Sequence, residues 1–247
     1  MIKLTASIVI YNEDPKILKH AIDSFLKLNF EKELIIIDNS PSNTLESMFN
    51  TYNKVVTYIF SGKNIGFGSG HNLAFSKFSI ISDIHIIINP DIYFDGTEMN
   101  AFLTWFKQEP KISLAIPLVL NPDGSTQNIV RNIPTPLSMI KRRLHLNSDE
   151  IKIKKNTIKK IPFAHGCFLV FKSSIFKNLK GFDERFFMYM EDVDIFLRAK
   201  KYGDTVINTN YIIYHEYRKG SSKNFKLLWW HIISAVKFFR KTYMGSY

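Results

Sequence analysis

A run of acidic, aromatic and methionine side chains between Gly181 and Asp194 holds the first candidate for chemistry. Apolar residues then recur at helical spacing, which predicts a helix from about Glu191 to Tyr202. In its first turn, Asp192 would lie against the aromatic side chains just before it, where burial raises a carboxyl pKa and makes a usable proton acceptor. The alternative is that the acidic first turn only complements the helix dipole.

Two further ionisable residues of this helix, Asp194 and Arg198, are four positions apart. Residues at that spacing are neighbours on a helix surface, so we expect them to form an ion pair. Asp192 and Asp194 are only two positions apart and cannot face each other, so we expect them to have separate roles.

Buried-strand patterns alternate with helix patterns through the first third of the chain, with the strands at Leu4–Ile10, Leu34–Ile37, Val55–Phe60 and Ile84–Ile88. This alternation predicts a parallel sheet covered by helices on both faces. Polar residues follow each strand, at Tyr11-Asn12, Asp38-Asn39, Lys63-Asn64 and Asn89-Pro90-Asp91. Because the carboxyl ends of such strands meet at one edge, the sequence predicts a ligand site there.

The second half of the chain has a less regular pattern. Strands are predicted at Ile112–Leu120, Phe163–Phe171, Thr205–Asn208 and Tyr211–His215. A short helix is predicted at Ser173–Lys180, and a basic loop at Ile140–Lys160. No internal repeat or linker is visible, so we predict a single domain before the C-terminal segment.

The C-terminal segment, from Asn224 to Tyr243, has a helical pattern. Its predicted apolar side carries Phe225, Leu228, Ile232, Ala235, Val236 and Phe239, and its opposite side carries Lys226, Lys237 and Lys241. Two alternatives stay open. The helix either packs on the domain or lies as a basic interfacial helix on anionic lipid.

Composition limits the classes of protein to consider. The chain has 247 residues, of which 45% are hydrophobic, and this is enough for a folded core. A net charge of +11 favours an anionic partner: nucleic acid, an acidic membrane surface or a phosphorylated small molecule. The single cysteine, Cys167, excludes an intrachain disulfide and is expected to be a small apolar residue in a strand. Without a signal-peptide pattern or a bilayer-length apolar run, we expect a cytoplasmic protein.

Three weak motifs have both structural and functional interpretations. The glycine-rich stretch 62–72 matches neither a P-loop nor a dinucleotide fingerprint, so a flexible turn stays an alternative to a binding loop. Asp91 could donate an oxygen to a divalent cation that binds a diphosphate, or it could simply end a turn. His215, at the end of the last strand, is on its own more typical of a structural histidine.

Taken in order, these motifs resemble the family 2 glycosyltransferases, and within them the bacterial rhamnosyltransferases of cell-surface polysaccharide assembly. The resemblance runs from about Thr5 to Ser222. It rests on Tyr11-Asn12, Ile37-Asp38-Asn39-Ser40, Asn64-Ile65-Gly66-Phe67 with Asn72, Asn89-Pro90-Asp91, Asn121-Pro122-Asp123-Gly124-Ser125, Arg131 with Pro134-Thr135, Gly166-Cys167, the 181–194 run with Arg198, and His215 with Gly220-Ser221-Ser222.

The resemblance implies an α/β fold of the GT-A type, with a Rossmann-like, mostly parallel central sheet flanked by helices. The glycosyltransferase domain would cover residues 1–222, with a nucleotide-binding half of about 1–95 and an acceptor-binding half of about 96–222. Residues 223–247 would form a C-terminal amphipathic helical segment.

The resemblance also implies a role for each matched residue. Asp38 would hydrogen-bond the donor's base, and the remaining donor-binding positions would be Tyr11, Asn12, Asn64, Gly66, Asn72, Asn89 and Asp91. Asp91 and His215 would hold Mg²⁺ or Mn²⁺, and Asp192 would be the general base. Acceptor or supporting positions would be Glu191, Arg131, His165, Asp194 and Arg198. Asn89 departs from the aspartate of many relatives and leaves the metal site one negative charge poorer.

The implied reaction is inverting transfer of a sugar, with dTDP-L-rhamnose as donor and a lipid-linked saccharide as acceptor. The protein would work on the inner face of the membrane, bound to its anionic surface; a homodimer stays open. One alternative keeps the fold but uses a UDP-sugar. A nucleotidyltransferase would need a basic, glycine-rich loop where Tyr11-Asn12-Glu13-Asp14 stands. A nucleic-acid-binding protein is disfavoured by the absence of a binding motif, so no nucleic-acid partner is expected.

Overall fold

The computed structural model describes residues 2–52, 54–144, 146, 149–216 and 225–245, with the backbone alone for residues 225 and 226. Its strands are β1 Lys3–Ile10, β2 Glu31–Asp38, β3 Val56–Phe60, β4 Ile84–Ile88, β5 Ile92–Tyr93, β6 Ile112–Leu120, β7 Val130–Arg131, β8 Ile158–Lys160, β9 Phe163–Ala164, β10 Phe168–Lys172 and β11 Asp204–His215. Its helices are α1 Pro15–Leu26, α2 Glu46–Phe49, α3 Phe67–Phe75, α4 Gly96–Gln108, α5 Pro136–Arg143, α6 Ser173–Asn178, α7 Glu191–Ala199 and α8 Phe225–Tyr243.

One large sheet runs through the molecule in the order β3-β2-β1-β4-β10-β6-β11-β5, with β8 paired to β11. The four strands predicted from the first third are parallel to one another, as expected. In the second half the sheet is mixed, in keeping with the mostly parallel sheet that the resemblance implies. There β10 runs antiparallel between β4 and β6, and β5 and β8 run antiparallel to β11.

The continuous apolar runs of the central strands follow from their position. All nine residues of β6 and all five of β4 are buried, because other elements cover the sheet on both faces. α1 begins at Pro15 behind an Asp14 cap and packs Leu18, Ile22 and Phe25 into the core.

Several predicted boundaries in the second half differ from the structure. The apolar run 163–171 is two strands separated by a turn that contains the buried Cys167, so this cysteine lies just before β10 rather than in a strand. The two short strands predicted at 205–208 and 211–215 are one strand, β11, with an irregular register between Asn208 and Ile212. The predicted basic loop 140–160 includes the end of α5 and the strand β8. No helix was predicted for the residues that form α4.

The carboxyl ends of β1 to β4 lie together at one edge, which confirms the predicted gathering of polar residues. A strand pairing brings the end of β11 to the same edge. β5 follows β4 after three residues and pairs antiparallel with β11, so that Ile92 lies opposite His215. The backbone N–H of Glu216 donates to the carbonyl of Asp91 at 2.9 Å. Residues distant in sequence thereby become neighbours.

α8 packs on the segment that leads into α7. The Ser234 hydroxyl donates to the Met188 carbonyl at 2.7 Å, and Phe187 lies against Trp230 with ring centroids 4.4 Å apart. The predicted assignment of the helix faces is wrong, because Lys241 points into the domain while Ile232 and Val236 are exposed. The boundary predicted between residues 222 and 223, and the Gly220-Ser221-Ser222 motif, lie outside the described residues.

Candidate active site

The rim of the candidate site is formed by the ends of β1 and β2. Tyr11 is exposed, and Asn12 adopts a left-handed backbone with φ of 51°. The Asn12 N–H donates to the Ser40 hydroxyl at 2.8 Å, which ties the two strand ends together. Asp38 is fully buried. One of its oxygens accepts from Tyr58 at 2.7 Å and the other accepts from the Ser40 N–H at 2.8 Å. A carboxylate held in this way is pre-oriented, and its hydrogen bond to the nucleobase of a donor stays a prediction.

The loop before α3 is shaped around the acidic run. The Asn64 side chain accepts from the Gly66 N–H at 3.0 Å, and Gly66 has a φ of 92°. A Cβ at Gly66 would come within 2.6 Å of the Phe187 carbonyl oxygen, so only glycine allows this approach.

Asn72 bridges α3 to the same run. Its side-chain carbonyl accepts from the Phe182 N–H at 2.8 Å, and its amide group donates to the Phe182 carbonyl at 2.9 Å and to Glu184 at 3.0 Å. These contacts give Asn72 a positioning role for the 181–194 segment. Its predicted contact with the donor stays a prediction.

Asp91 and His215 face each other across the site. The His215 Nε2 atom lies 3.2 Å from Asp91 Oδ1, and that oxygen is buried without a hydrogen bond among the described residues. Two neighbouring ligands on one octahedral cation, each roughly 2.1 Å from it, are separated by roughly 3 Å. The pair therefore fits a shared divalent cation.

The rest of such a coordination shell would come from elsewhere. In the described part of the chain, no group of three or more His, Cys, Asp or Glu side chains is arranged for a metal. Magnesium is commonly held by one or two protein ligands with substrate phosphates and water. Asn89, at the end of β4, is fixed by its N–H, which donates to the Cys167 carbonyl at 2.9 Å.

Asp192 is presented by a sharp turn at the start of α7. Tyr189 and Met190 are both left-handed, with φ of 69° and 66°, a conformation that bulky residues adopt only under constraint. The Asp192 carboxylate accepts from the Val193 N–H at 2.8 Å. Burial raises the pKa of Asp192 to about 6, against the backbone hydrogen bonds of Val193 and Gly166, which lower it. The predicted burial effect is confirmed.

Glu191 is a different kind of carboxyl group. It is buried, and its Oε2 has no hydrogen-bond partner among the described residues. Burial, followed by the neighbouring Asp192 charge, raises the pKa of Glu191 well above its ordinary range. These shifts favour the protonated form of Glu191.

Arg131 and His165 lie beside Asp192. Arg131 donates through Nε to His165 Nε2 at 2.7 Å and contacts Glu150 at 3.2 Å. Arg131 Nε–H can only donate, so His165 Nε2 accepts and the imidazole is neutral. Desolvation and then the charge of Arg131 lower the pKa of His165 to about 4, although the residue as a whole is exposed. The Arg131 charge also favours the ionised form of Asp192. Arg131 is thus within electrostatic reach of Asp192, and His165 is bonded to Arg131.

Asp194 and Arg198 lie on another side of α7. Asp194 is 0% exposed, and its carboxylate accepts from Arg198 Nε at 2.7 Å and from Lys241 of α8. The ion pair predicted from the spacing is confirmed. These partners enclose Asp194 and join α7 to α8, and its predicted acceptor or supporting role stays a prediction.

The buried thiol of Cys167 marks the centre of the arrangement. Its pKa is raised to about 12, first by burial and then by the charges of Asp91 and Asp192. Both carboxylates are therefore within electrostatic reach of the same sulfur atom. The candidate cation ligand Asp91 and the candidate base Asp192 are thus both close to Cys167.

A model of the family described as glycosyl transferase family 2 matches residues 5–180. The chain belongs to glycosyl transferase family 2. Asp192 and His215 lie beyond the matched residues.

Three curated proteins are similar to this family 2 glycosyltransferase. Rhamnosyltransferase WbbL of Escherichia coli K12 is 26% identical, with 90% of each chain covered. The N-acetylglucosaminyl-diphospho-decaprenol L-rhamnosyltransferase of Mycobacterium tuberculosis is 25% identical, covering 79% of this chain and 69% of that protein. The low-salt glycan biosynthesis hexosyltransferase Agl10 of Haloferax volcanii is 27% identical over 68% of this chain, and the match spans only 53% of Agl10.

Solved structures show the fold. GalNAc-T7 with UDP, GalNAc and Mn²⁺ aligns with a TM-score of 0.69 and 17% identity, covering 90% of this chain and 45% of that one. The mannosyltransferase PcManGT of Pyrobaculum calidifontis, with GDP-Man and Mn²⁺, aligns with a TM-score of 0.62 and 14% identity, covering 88% and 58%. This family 2 glycosyltransferase therefore has the α/β GT-A fold, and it spans about half the length of these two enzymes.

Two residues of the site of this family 2 glycosyltransferase were not identified from its sequence. Gln127, which bonds to His215 at 2.9 Å, was not singled out, although it closely follows the Asn121–Ser125 turn. Phe187 was quoted only as part of an aromatic run, yet its carbonyl accepts from the Phe67 N–H at 3.1 Å. Such backbone contacts leave no signal in side-chain chemistry.

The rate of sugar transfer by this family 2 glycosyltransferase should depend on pH through Asp192. A base must be ionised, and burial has moved its pKa up to about 6. We therefore expect kcat/KM to fall tenfold per pH unit below about pH 6. A profile that stays flat down to about pH 4, the ordinary range of an exposed carboxyl, would contradict this assignment.

Proposed function

We propose that this protein is an inverting glycosyltransferase that moves a sugar from a nucleoside-diphosphate sugar to a hydroxyl group of a lipid-linked saccharide. The observation that carries the proposal is that the half-buried Asp192, with its raised pKa, and Asp91, which faces His215, both lie within electrostatic reach of Cys167. One group suits a proton acceptor and the other suits a cation on a diphosphate.

In the proposed reaction, Asp192 takes the proton of the acceptor hydroxyl as that oxygen attacks the anomeric carbon. The bond from this carbon to the diphosphate breaks on the opposite face, and the diphosphate leaves with the electron pair. No covalent enzyme intermediate forms, so one carboxylate is sufficient, unlike the pair of a retaining hydrolase. The raised pKa of Glu191 favours its neutral form, which would place no second negative charge beside the base.

The leaving diphosphate needs positive charge. Asp91 and His215 would hold a divalent cation, Mg²⁺ or Mn²⁺, which when bound would stabilise the charge that grows on the diphosphate. The Mn²⁺ named with two structural neighbours supports this choice.

For the donor we propose dTDP-L-rhamnose. Two similar proteins are named rhamnosyltransferases, at 25% and 26% identity. The asparagine at position 89 is the form that suggested this branch from the sequence. A UDP-sugar is the alternative donor, since Agl10 is named only a hexosyltransferase.

For the acceptor we propose a saccharide on a polyprenyl diphosphate, as in the printed name of the mycobacterial relative. Such an acceptor lies at a membrane, and two helices support docking there. Within the described residues, no helix is long and apolar enough to span a bilayer. Peripheral binding is the form of membrane contact that we propose.

The proposed docking surface consists of the outer faces of α5 and α8. Each carries exposed apolar residues at positions i, i+3 and i+7: Leu137, Ile140 and Leu144 at α5, and Trp229, Ile232 and Val236 on α8. α5 ends with Lys141, Arg142 and Arg143. Burial and then the charges of Arg142 and Arg143 lower the pKa of His231, so α5 lies within electrostatic reach of α8. Apolar stripes edged with cations suit an anionic interface.

Substitution on this docking surface should release the protein from lipid. We expect Trp229→Ser, Ile232→Ser and Val236→Ser together to weaken binding to phosphatidylglycerol vesicles at least about tenfold, because each exposed side chain contributes apolar burial. Ile81→Ser is the matched control, since Ile81 is 95% exposed before β4, at the opposite edge of the sheet. Co-sedimentation measures both. Deleting residues 224–247 would be less informative, because Phe238 and Lys241 are buried against the domain.

The donor and the metal can be tested together by ligand-induced stabilisation. A ligand present at 100 times its Kd stabilises the folded state by about 2.7 kcal/mol, roughly 5–10 °C in Tm for a chain of this size. We expect a shift with dTDP-rhamnose and Mn²⁺ that is lost in Asp91→Ala. Unchanged metal-dependent stabilisation of Asp91→Ala would show that Asp91 is not a ligand of the cation. A Tm shift with UDP-sugars alone would show that the donor is a UDP-sugar.

A further inference from the structure

A continuous chain of side-chain hydrogen bonds runs from the turn after β6 to His215. Asp123 accepts from the Ser125 N–H at 2.9 Å and from its hydroxyl at 2.6 Å. The Ser125 oxygen bonds to the Asn121 amide nitrogen at 2.7 Å, and the Asn121 oxygen bonds to the Gln127 amide nitrogen at 2.6 Å. Gln127 Oε1 lies 2.9 Å from His215 Nδ1.

The direction of every bond in this chain follows from its first member. The bonds from Ser125 hold the pKa of Asp123 below its ordinary range, and an ionised carboxylate can only accept. The single hydroxyl proton of Ser125 is therefore committed, and Ser125 accepts from the Asn121 amide. The Asn121 oxygen in turn must accept from Gln127.

Gln127 is held in one orientation by two donations. Its amide nitrogen donates to Asn121 at 2.6 Å and to the His215 backbone carbonyl at 3.1 Å. Its oxygen is therefore the atom that faces His215 Nδ1. An amide oxygen can only accept, so Nδ1 must carry hydrogen. The remaining ring atom, Nε2, is the one that faces Asp91 at 3.2 Å.

The backbone is built to hold this chain. The Asn121 N–H donates to the Ser125 carbonyl at 2.8 Å, and the turn closes through Gly124 with a φ of 81°. The Gln127 N–H donates to the Val119 carbonyl at 2.9 Å. Because β6 pairs in parallel with β11, with Leu120 opposite Tyr214, the turn emerges beside His215.

We propose that Gln127, oriented by the Asn121–Ser125 turn, is a positioning residue that holds His215 as the Nδ1–H tautomer and so aims Nε2 at a divalent cation shared with Asp91. The inference rests on the cation site of the proposed function. Partners that hold the second nitrogen of a metal-binding histidine contribute 10–100-fold to metal affinity in known sites.

The test combines metal binding with the histidine tautomer. Gln127→Met keeps the side-chain length but cannot accept from Nδ1–H. We expect the affinity for Mn²⁺, measured by electron paramagnetic resonance in the presence of dTDP, to fall about 10–100-fold. In the metal-free protein, the ring-nitrogen NMR signals of His215, identified by their loss in His215→Ala, should no longer show Nδ1–H alone. Gln127→Glu keeps an acceptor and should retain the Nδ1–H signature.

Three outcomes separate this proposal from the one on which it rests. Gln108→Met, an exposed substitution at the end of α4, controls for the loss of a glutamine and should bind Mn²⁺ as the parent does. Unchanged Mn²⁺ affinity in His215→Ala would contradict the proposed cation site at Asp91 and His215. Weaker binding in His215→Ala, with unchanged affinity and an unchanged Nδ1–H signature in Gln127→Met, would overturn only the role of Gln127.

Discussion

Asp192→Asn is expected to lower the rate of sugar transfer by on the order of 10²–10⁴-fold, the usual contribution of general acid–base catalysis. The asparagine keeps the shape of the side chain and can accept from the Val193 N–H, but it cannot take the acceptor's proton. Donor binding depends on other residues and should change less than about twofold. Steady-state transfer assays measure the first quantity, and titration with the donor and Mn²⁺ measures the second.

Glu191→Gln is the informative companion of that variant. Because burial favours the neutral form of Glu191, a neutral amide of the same size should leave most of the activity in place. Asp204→Asn, at an exposed ion pair with Lys160, controls for the loss of a carboxylate elsewhere. An active Asp192→Asn enzyme together with an inactive Glu191→Gln enzyme would show that Glu191, and not Asp192, is the base.

The largest effect on stability is expected from Asp194→Ala. The substitution would leave Lys241 and Arg198 partly buried without the carboxylate that neutralises them, although Asp183 at 2.8 Å still faces Lys241. Breaking a buried ion pair in this way costs about 3–5 kcal/mol. For a protein of this size the Tm should fall by roughly 6–20 °C. Chemical or thermal unfolding followed by circular dichroism measures the loss.

Asp23→Ala provides the matched comparison on the surface. Asp23 pairs with Lys19 at the same four-residue spacing, at 2.6 Å, but both side chains are exposed. Solvent screens an exposed pair of this kind, so little change in stability is expected. Equal effects of the two substitutions would show that the Asp194 cluster does not hold α8 to α7. Should Asp194→Ala fail to fold, the isosteric Asp194→Asn gives a measurable intermediate loss.

Sequence patterns predicted the first third of the chain well, for a physical reason. Parallel strands buried on both faces leave long apolar runs such as those of β1, β2 and β4, and the polar residues after them must gather at one edge. The Asp194–Arg198 pair was also predictable, because its geometry depends only on the local helix.

What sequence patterns missed depends on tertiary contacts. The run 163–171 is apolar except for His165 and Gly166, and its pattern predicts one strand. The turn at Gly166–Cys167 depends on a tertiary contact, since a Cβ at Gly166 would meet the Asp192 Cβ at 3.4 Å. Lys241 was assigned to a solvent-facing side because its carboxylate partners, Asp183 and Asp194, are far away in sequence. The periodicity of the sequence also could not predict that Asp91 lies next to His215, because that contact requires the pairing of β5 with β11.

The most direct test of the central claim is to detect the product and its stereochemistry. The protein would be incubated with dTDP-L-rhamnose, Mn²⁺ and N-acetylglucosaminyl diphosphoryl polyprenol, with mass spectrometry of the lipid product and NMR of its new linkage. We expect release of dTDP, an acceptor heavier by one sugar, and an anomeric configuration opposite to that of the donor, all lost in Asp192→Asn. Retention of configuration, or release of pyrophosphate in place of sugar transfer, would contradict the account.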